Sequence, residues 1–165
     1  MGTIQVRALD LLMMTAKKSS ILLIFFALLI AASDQVTKAF AVFFKPHLHA
    51  VIDEFLYLTL SFNSGSLWGI GSRFPYIIAG FGVFAIFCII VFREKLNIRN
   101  YPILYGLILG GIAGNTIDRF MYGYVIDFID IDLHFYRWPI FNIADIAINI
   151  GVVYLIFFAR DLKKS

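Results

Sequence analysis

The sequence predicts an all-α membrane protein: four transmembrane helices carrying a small outward-facing β platform. Three observations predict it. Apolar residues make up 61% of the chain and charged residues only 15%, against about 45–50% and about 25% in soluble domains. Uncharged stretches at 74–92, 100–117 and 146–159 join a first apolar run that starts at Ile21; at roughly 20 residues per span they make four helices. Nine of the 14 basic residues fall in three alternate segments of the chain, as the positive-inside rule describes for cytoplasmic segments.

Taken in order, residues 1–18 read as a mixed cytoplasmic tail with weak helical character. Helix 1 is expected at about 19–40, ended by Lys45, Pro46 and His47. Lys17-Lys18, the apolar run and Ala31-Ala32-Ser33 also fit a cleavable signal peptide, but apolarity resumes after Asp34 and favours a retained helix. The outward segment that follows holds an aromatic-rich strand at Phe55 to Phe62 and a turn signal at Asn63-Ser64-Gly65-Ser66. Helices 2 and 3 are expected at about 74–92 and 101–119, a second strand at Tyr124 to Leu133, and helix 4 at about 139–159. One four-helix domain spans 19–162, and 163–165 form a second cytoplasmic tail. Two short strands above a helical bundle offer a platform for an extended peptide.

The basic residues set the orientation. Arg7, Lys17 and Lys18, then Arg93, Lys95 and Arg99, then Arg160, Lys163 and Lys164 share one side, the cytoplasmic one. Both termini lie there. Eight of the 11 acids fall at the opposite side or its membrane boundary. Acids contribute little to topology, so their segregation speaks about function, and the functional face is outward. The net charge of +3 is spread in a way that points to a membrane and not to nucleic acid. Cys88 stands alone, and His47, His49 and His134 lack metal-site spacing, so no metal is expected. No GxGxxG fingerprint or Walker loop occurs, and no cofactor is expected.

Between Asn115 and Asp145 stand five aspartates, two asparagines and two arginines. An ionisable side chain at bilayer depth costs between about 2.5 and well over 10 kcal/mol, so such residues call for a use. Asn115, Asp118 and Arg119 share a face of helix 3, below a Gly110-xxx-Gly114 pattern that suits close helix packing. Asn142 and Asp145 share the outer turn of helix 4, and Asn149 continues their stripe inward. Asn142 suits a helix N-cap. Asp127, in Val-Ile-Asp-Phe, is flanked by residues that prefer burial, which raises a carboxyl pKa. Asp130 and Asp132 read as solvated acids. Asp34 and Lys38 are spaced as an i, i+4 ion pair, with Gln35 one step round the helix. Two carboxylates brought together can share a proton and serve as general acid and base. Spacing alone leaves Asp34, Asp118, Asp127 and Asp145 all as candidates.

These segments resemble the lipoprotein signal peptidases (signal peptidase II), intramembrane aspartic peptidases of bacteria. The motifs are Asp34-Gln35-Val-Thr-Lys38, Asn63-Ser-Gly65-Ser-Leu-Trp68-Gly69, Gly110-Gly111-Ile-Ala-Gly114-Asn115-Thr-Ile-Asp118-Arg119, Val125-Ile126-Asp127-Phe128 and Phe141-Asn142-Ile-Ala144-Asp145. They stand in the family's order across about residues 19–162. The resemblance implies a catalytic dyad at Asp127 and Asp145. It implies support from Asp34, Asn63, Gly65, Asn115, Asp118, Arg119, Asn142 and Ala144, with Lys38 closing the first motif. It implies a substrate too: a prolipoprotein carrying a diacylglyceryl thioether on a cysteine, cut just before that cysteine at the outer face of the bacterial inner membrane. Membrane lipids are the other expected partner, and the enzyme is expected to be a monomer. Ser66-Leu67 departs from the family, which carries small residues after the glycine.

Two carboxyls a few ångströms apart do not both ionise readily, so the pair keeps a proton near neutral pH and titrates as a unit. One rival reading is a proton- or cation-coupled small membrane carrier subunit. It is disfavoured because the key acids lie towards one face and no inverted repeat is visible. A third, a structural assembly factor, predicts that the acids are replaceable.

Overall fold

Neither proline nor glycine interrupts residues 3–44, and the tail expected at 1–18 is rich in Ala, Leu, Met and Lys, all good helix formers. In the computed structural model, which describes residues 2–45, 49–65 and 74–158, with side chains at 13–45, 50–65 and 74–158, the whole stretch is one helix. This helix, α1, is Gly2–Phe44, so it begins before the expected residue 19 and runs unbroken through Ala31-Ala32-Ser33. It stops where Lys45 turns left-handed, with φ 44°, just before a proline that disfavours helix in its predecessor.

Helix α2 is Pro75–Val91 and α3 is Pro102–Tyr122, each opened by a proline whose missing N–H costs nothing at that position. Gly123, at φ 78°, closes α3 by donating its N–H to the Arg119 carbonyl, a conformation natural to glycine. Helix α4 is Ile143–Phe158, four residues later in starting than expected. The reason is long-range: Phe141 exchanges backbone hydrogen bonds with Ile129 at 2.8 and 3.0 Å, which draws 138–141 into the sheet. Among the described residues, Met13–Phe44 alone is long and apolar enough to cross a bilayer by itself, while α2 and α4 are apolar but shorter.

Helix α3 is the centre of the bundle and touches the other three helices. Its Gly106 and Gly110 let α1 approach: a Cβ added at Gly110 would sit 2.5 Å from the Ala27 carbonyl oxygen. Gly111 does the same for α4, against Ala144 and Ile148. The glycine face read in the sequence is thus a packing face. At its outer end it meets chemistry, because Gly114 lies against the Asp34 carboxylate.

The β platform has three antiparallel strands in the order β1-β2-β3, one more than expected. Strand β1 is His49–Ile52, β2 is Leu56–Asn63 and β3 is Val125–Ile131. Four residues are too few to show an alternation, which is why β1 was not anticipated. A bulge between Leu58 and Ser61 shifts the β2–β3 register so that Ser61 stands opposite Asp127 and Asn63 opposite Val125. Asn63 and Asp127 are then diagonal neighbours on one face, within reach of one another.

Candidate active site

Asp127 lies in β3, only 2% exposed. Its two oxygens accept from different elements: Oδ2 from Asn63 Nδ2 at 3.1 Å, and Oδ1 from Asn142 Nδ2 at 2.7 Å. Burial and the neighbouring Asp145 charge push the Asp127 carboxyl from 3.8 up to about 7, against the two amide hydrogen bonds and the more distant Lys38. The expectation of a desolvated acid holds.

Asn142 immediately precedes α4 and caps it. Its Oδ1 accepts the Asp145 N–H at 3.0 Å, and Asp145 Oδ2 accepts the Asn142 N–H at 3.3 Å. This reciprocal capping pair gives Asp145 a structural role that the sequence did not reveal. The other carboxylate oxygen, Oδ1, accepts from Asn115 Nδ2 at 2.8 Å. Asn142 therefore touches both acids, Asp127 through its side-chain amide and Asp145 through the cap. Its amide also reaches Asn115 Oδ1 at 3.1 Å.

Behind this layer lies a buried ion cluster. Lys38, 1% exposed, places its ammonium 2.7 Å from Asp34 Oδ2, 2.8 Å from Asp118 Oδ2 and 3.0 Å from Asn115 Oδ1. Three donors meet three acceptors, so the cation is fully satisfied. Asp34 and Asp118 are each fully buried. Asp34 Oδ1 accepts the Ala144 N–H in the first turn of α4 at 3.0 Å, where the helix dipole favours negative charge. Asp118 Oδ2 accepts the Ile126 N–H at 3.1 Å, which fixes the start of β3. Gln35, given no role from the sequence, donates to Asp118 Oδ1 at 2.7 Å and to the Gly114 carbonyl at 3.3 Å. Its place beside Asp34 was the available signal.

Arg119 ties the turn after β2 to α3, donating to the Gly65 carbonyl at 2.9 Å and the Asn115 carbonyl at 3.2 Å. Gly65 in turn donates its N–H to Asn63 Oδ1 at 3.1 Å. The Arg119 Nε is buried without a hydrogen-bond partner among the described residues. Every site residue named from the sequence thus joins one connected network. Ser66-Leu67, Trp68 and Gly69 lie outside the described residues.

Asp127 and Asp145 line one cavity of about 700 Å³, together with Asn63, Asn115 and Arg119. Part of its wall is Tyr136 with Trp138, Pro139, Ile140 and Phe141, which the sequence reading missed. Asp130 holds that wall and corrects a second expectation: it is not a solvated acid but 1% exposed. Arg137 grips it with two hydrogen bonds of 2.9 and 2.6 Å, and Thr59 adds one of 2.8 Å. The Arg137 hydrogen bonds hold the Asp130 carboxyl below its usual range. Asp132 is partly exposed and accepts the His134 N–H at 2.8 Å. Among the described residues, no cluster of three or more metal-ligating side chains occurs.

Comparison with known proteins places the chain among relatives of one kind. A family model described as signal peptidase (SPase) II matches residues 26–160. A lipoprotein signal peptidase of Thermodesulfovibrio yellowstonii is 40% identical over 136 residues, covering 79% of this chain and 88% of that one. One from Burkholderia mallei is 37% identical over 132 residues, covering 75% and 78%. Two solved structures of bacterial membrane enzymes, each 31% identical, superpose with a TM-score of 0.68 over 87% of this chain and 90% and 94% of theirs.

Proposed function

Since the chain belongs to the signal peptidase II family, a family of bacterial membrane proteases that process lipoproteins, we propose that it removes signal peptides by an aspartic mechanism at Asp127 and Asp145. The substrate is a prolipoprotein whose cysteine already carries a diacylglyceryl group, and the bond cut is the one just before that cysteine. The observation that carries this reading is the meeting of two acids from different elements on one residue, Asn142, in one cavity.

The chemistry follows from the geometry. With a single proton on the pair, the ionised carboxylate takes a proton from a bound water as its oxygen attacks the scissile carbonyl carbon. The protonated carboxyl hydrogen-bonds the carbonyl oxygen and gives up its proton to it. The tetrahedral diol then collapses, the C–N bond breaks, and a proton passes to the leaving amine of the lipid-bearing cysteine. Products are the signal peptide with a free carboxylate and the lipoprotein with a new amino terminus. Asn63, Asn115 and Asn142 orient the acids without neutralising them. Asp34, Lys38 and Asp118 hold α1, α3 and α4 in register beneath them, with Ala144 and Gly114 giving the close approach. Arg119 and Gly65 hold the turn over the cavity.

In this reading α1 to α4 are four spans, with residues 1–18 and 163–165 on the cytoplasmic side and 19–162 the peptidase domain. The β platform and the cavity face outward, where the lipid chains anchor the substrate in the outer leaflet. The enzyme acts as a monomer. The carrier reading finds no support, because Asp34, Lys38, Asp118 and Asp145 gather at one end of the bundle.

The test is cleavage of a purified diacylglyceryl-modified prolipoprotein by wild type, Asp127→Asn and Asp145→Asn. Release of the signal peptide by wild type alone, insensitive to EDTA, is the expected result. A variant that cleaves at the wild-type rate sinks the dyad.

A further inference from the structure

One cavity residue has no part in the network described so far. Asn149 lies four residues beyond Asp145 and seven beyond Asn142 on α4, so it stands on their stripe one turn deeper. It lines the same cavity, between Ile146 and Ile150. Its side chain is exposed, and it makes no hydrogen bond among the described residues. It is also the only polar side chain between Asp145 and Tyr154 on that helix. An amide serving as glue between helices would be found paired with a neighbouring helix. This one lines the open cavity, and in the four-span reading it stands at bilayer depth, where unmet donors and acceptors are costly.

What enters that space supplies the partner. A signal peptide that crosses the membrane as a helix satisfies its own backbone, but a protease site needs it locally unwound. Unwinding frees N–H and C=O groups beside the apolar part of the cavity wall at Ile146, Ile148 and Ile150, where they need protein partners. A carboxamide is the side chain that answers both, with donors on nitrogen and an acceptor oxygen. Along α4, Asn149 lies about 6 Å inward from Asp145, and an extended peptide covers that distance in about two residues. Inward is the direction from which the signal peptide arrives.

We propose that the Asn149 carboxamide hydrogen-bonds a backbone peptide unit of the unwound signal peptide about two residues before the scissile bond. This contact rests on the peptidase reading and makes Asn149 a substrate-positioning residue that the dyad chemistry does not itself require.

The test is steady-state cleavage of a diacylglyceryl lipopeptide by wild type, Asn149→Leu and Asn149→Thr, repeated with a substrate whose lipid chains are ether-linked. A lost hydrogen bond of this kind raises KM about tenfold in Asn149→Leu, with kcat within about twofold. Asn149→Thr, which keeps a donor and an acceptor, recovers part of the loss. The same penalty appears with the ether lipid, since the contact is to peptide. Equal KM in wild type and Asn149→Leu overturns the proposal. So does a fall in kcat at constant KM, or a penalty that vanishes with the ether lipid, which would place the contact on the acyl ester. If wild type itself fails to cleave, the peptidase reading falls first.

Discussion

Replacing Asn63 by alanine moves the alkaline limb of the pH profile while leaving both proposed catalytic acids in place. The Asn63 amide donates to Asp127 Oδ2 at 3.1 Å, and a hydrogen bond to a carboxylate favours its ionised form. Removing it raises the pKa. Such a bond contributes roughly 1.5–3 kcal/mol to the charged form, and a pKa unit is about 1.36 kcal/mol. Asn142 still donates to the other oxygen, and water can replace part of what is lost, so the lower figure applies: about one unit.

The sign matters more than the size. Asp127 ionises at about 7 in the intact site, and the active pair carries one proton, so activity falls as pH rises through that value. In Asn63→Ala the proton stays longer, and the falling limb of kcat/KM shifts upward by about one pH unit. The assay is lipopeptide cleavage followed from pH 5 to 9.5. The height of the profile falls as well, because Asn63 Oδ1 also accepts the Gly65 N–H and steadies the turn held by Arg119. Position, not height, is the readout. A limb that stays put or moves to lower pH refutes the assignment of the shared proton to a pair containing Asp127.

Lys38→Met leaves Asp34 and Asp118 buried without their cation and destabilises the fold by about 3–5 kcal/mol; thermal unfolding in detergent with an unchanged midpoint would contradict this. Gly110→Ala drives a Cβ to within 2.5 Å of the Ala27 carbonyl oxygen and costs about 1–3 kcal/mol. Gly80→Ala meets nothing within 4 Å and is neutral or stabilising by up to about 1 kcal/mol, read in the same melts. Because Asp127 is raised in the folded state, its contribution to stability is full below the unfolded value of 3.8 and is lost as pH rises through about 7. Unfolding midpoints therefore fall from about pH 4 to 7 and level off above that, and Asp127→Asn flattens that slope.

The helices were legible because long uncharged runs leave little choice in a membrane-type composition. What the runs did not carry was any information about pairing between distant segments. Trp138 to Phe141 is apolar enough to read as the start of a helix, yet its backbone is claimed by Ile129 and Ile131. Asn142, the N-cap foreseen at that spot, is the residue just before α4. Asp130 was misread for the same reason. One of its partners, Thr59, is 71 residues away, and the other, Arg137, meets it only because the chain folds back on itself.

Five of the aspartates also sort by the company they keep. Asp34 and Asp118 share Lys38, and Asp130 holds Arg137. A carboxylate already held by a cation at 2.6–2.8 Å is committed to that ion pair and has little to offer a substrate. Asp127 and Asp145 are different: among the described residues their hydrogen bonds come from amides alone, those of Asn63, Asn115 and Asn142. Neutral donors orient a carboxyl without fixing its charge, so a proton can be gained and lost as the reaction requires. Both also open onto the cavity, whereas the cation-bound acids do not line it. Lys38 then has a second use beyond stability. By pairing with Asp34 and Asp118 and donating to the Asn115 oxygen, it leaves the Nδ2 groups of Asn115 and Asn142 to donate to the two acids that face the cavity.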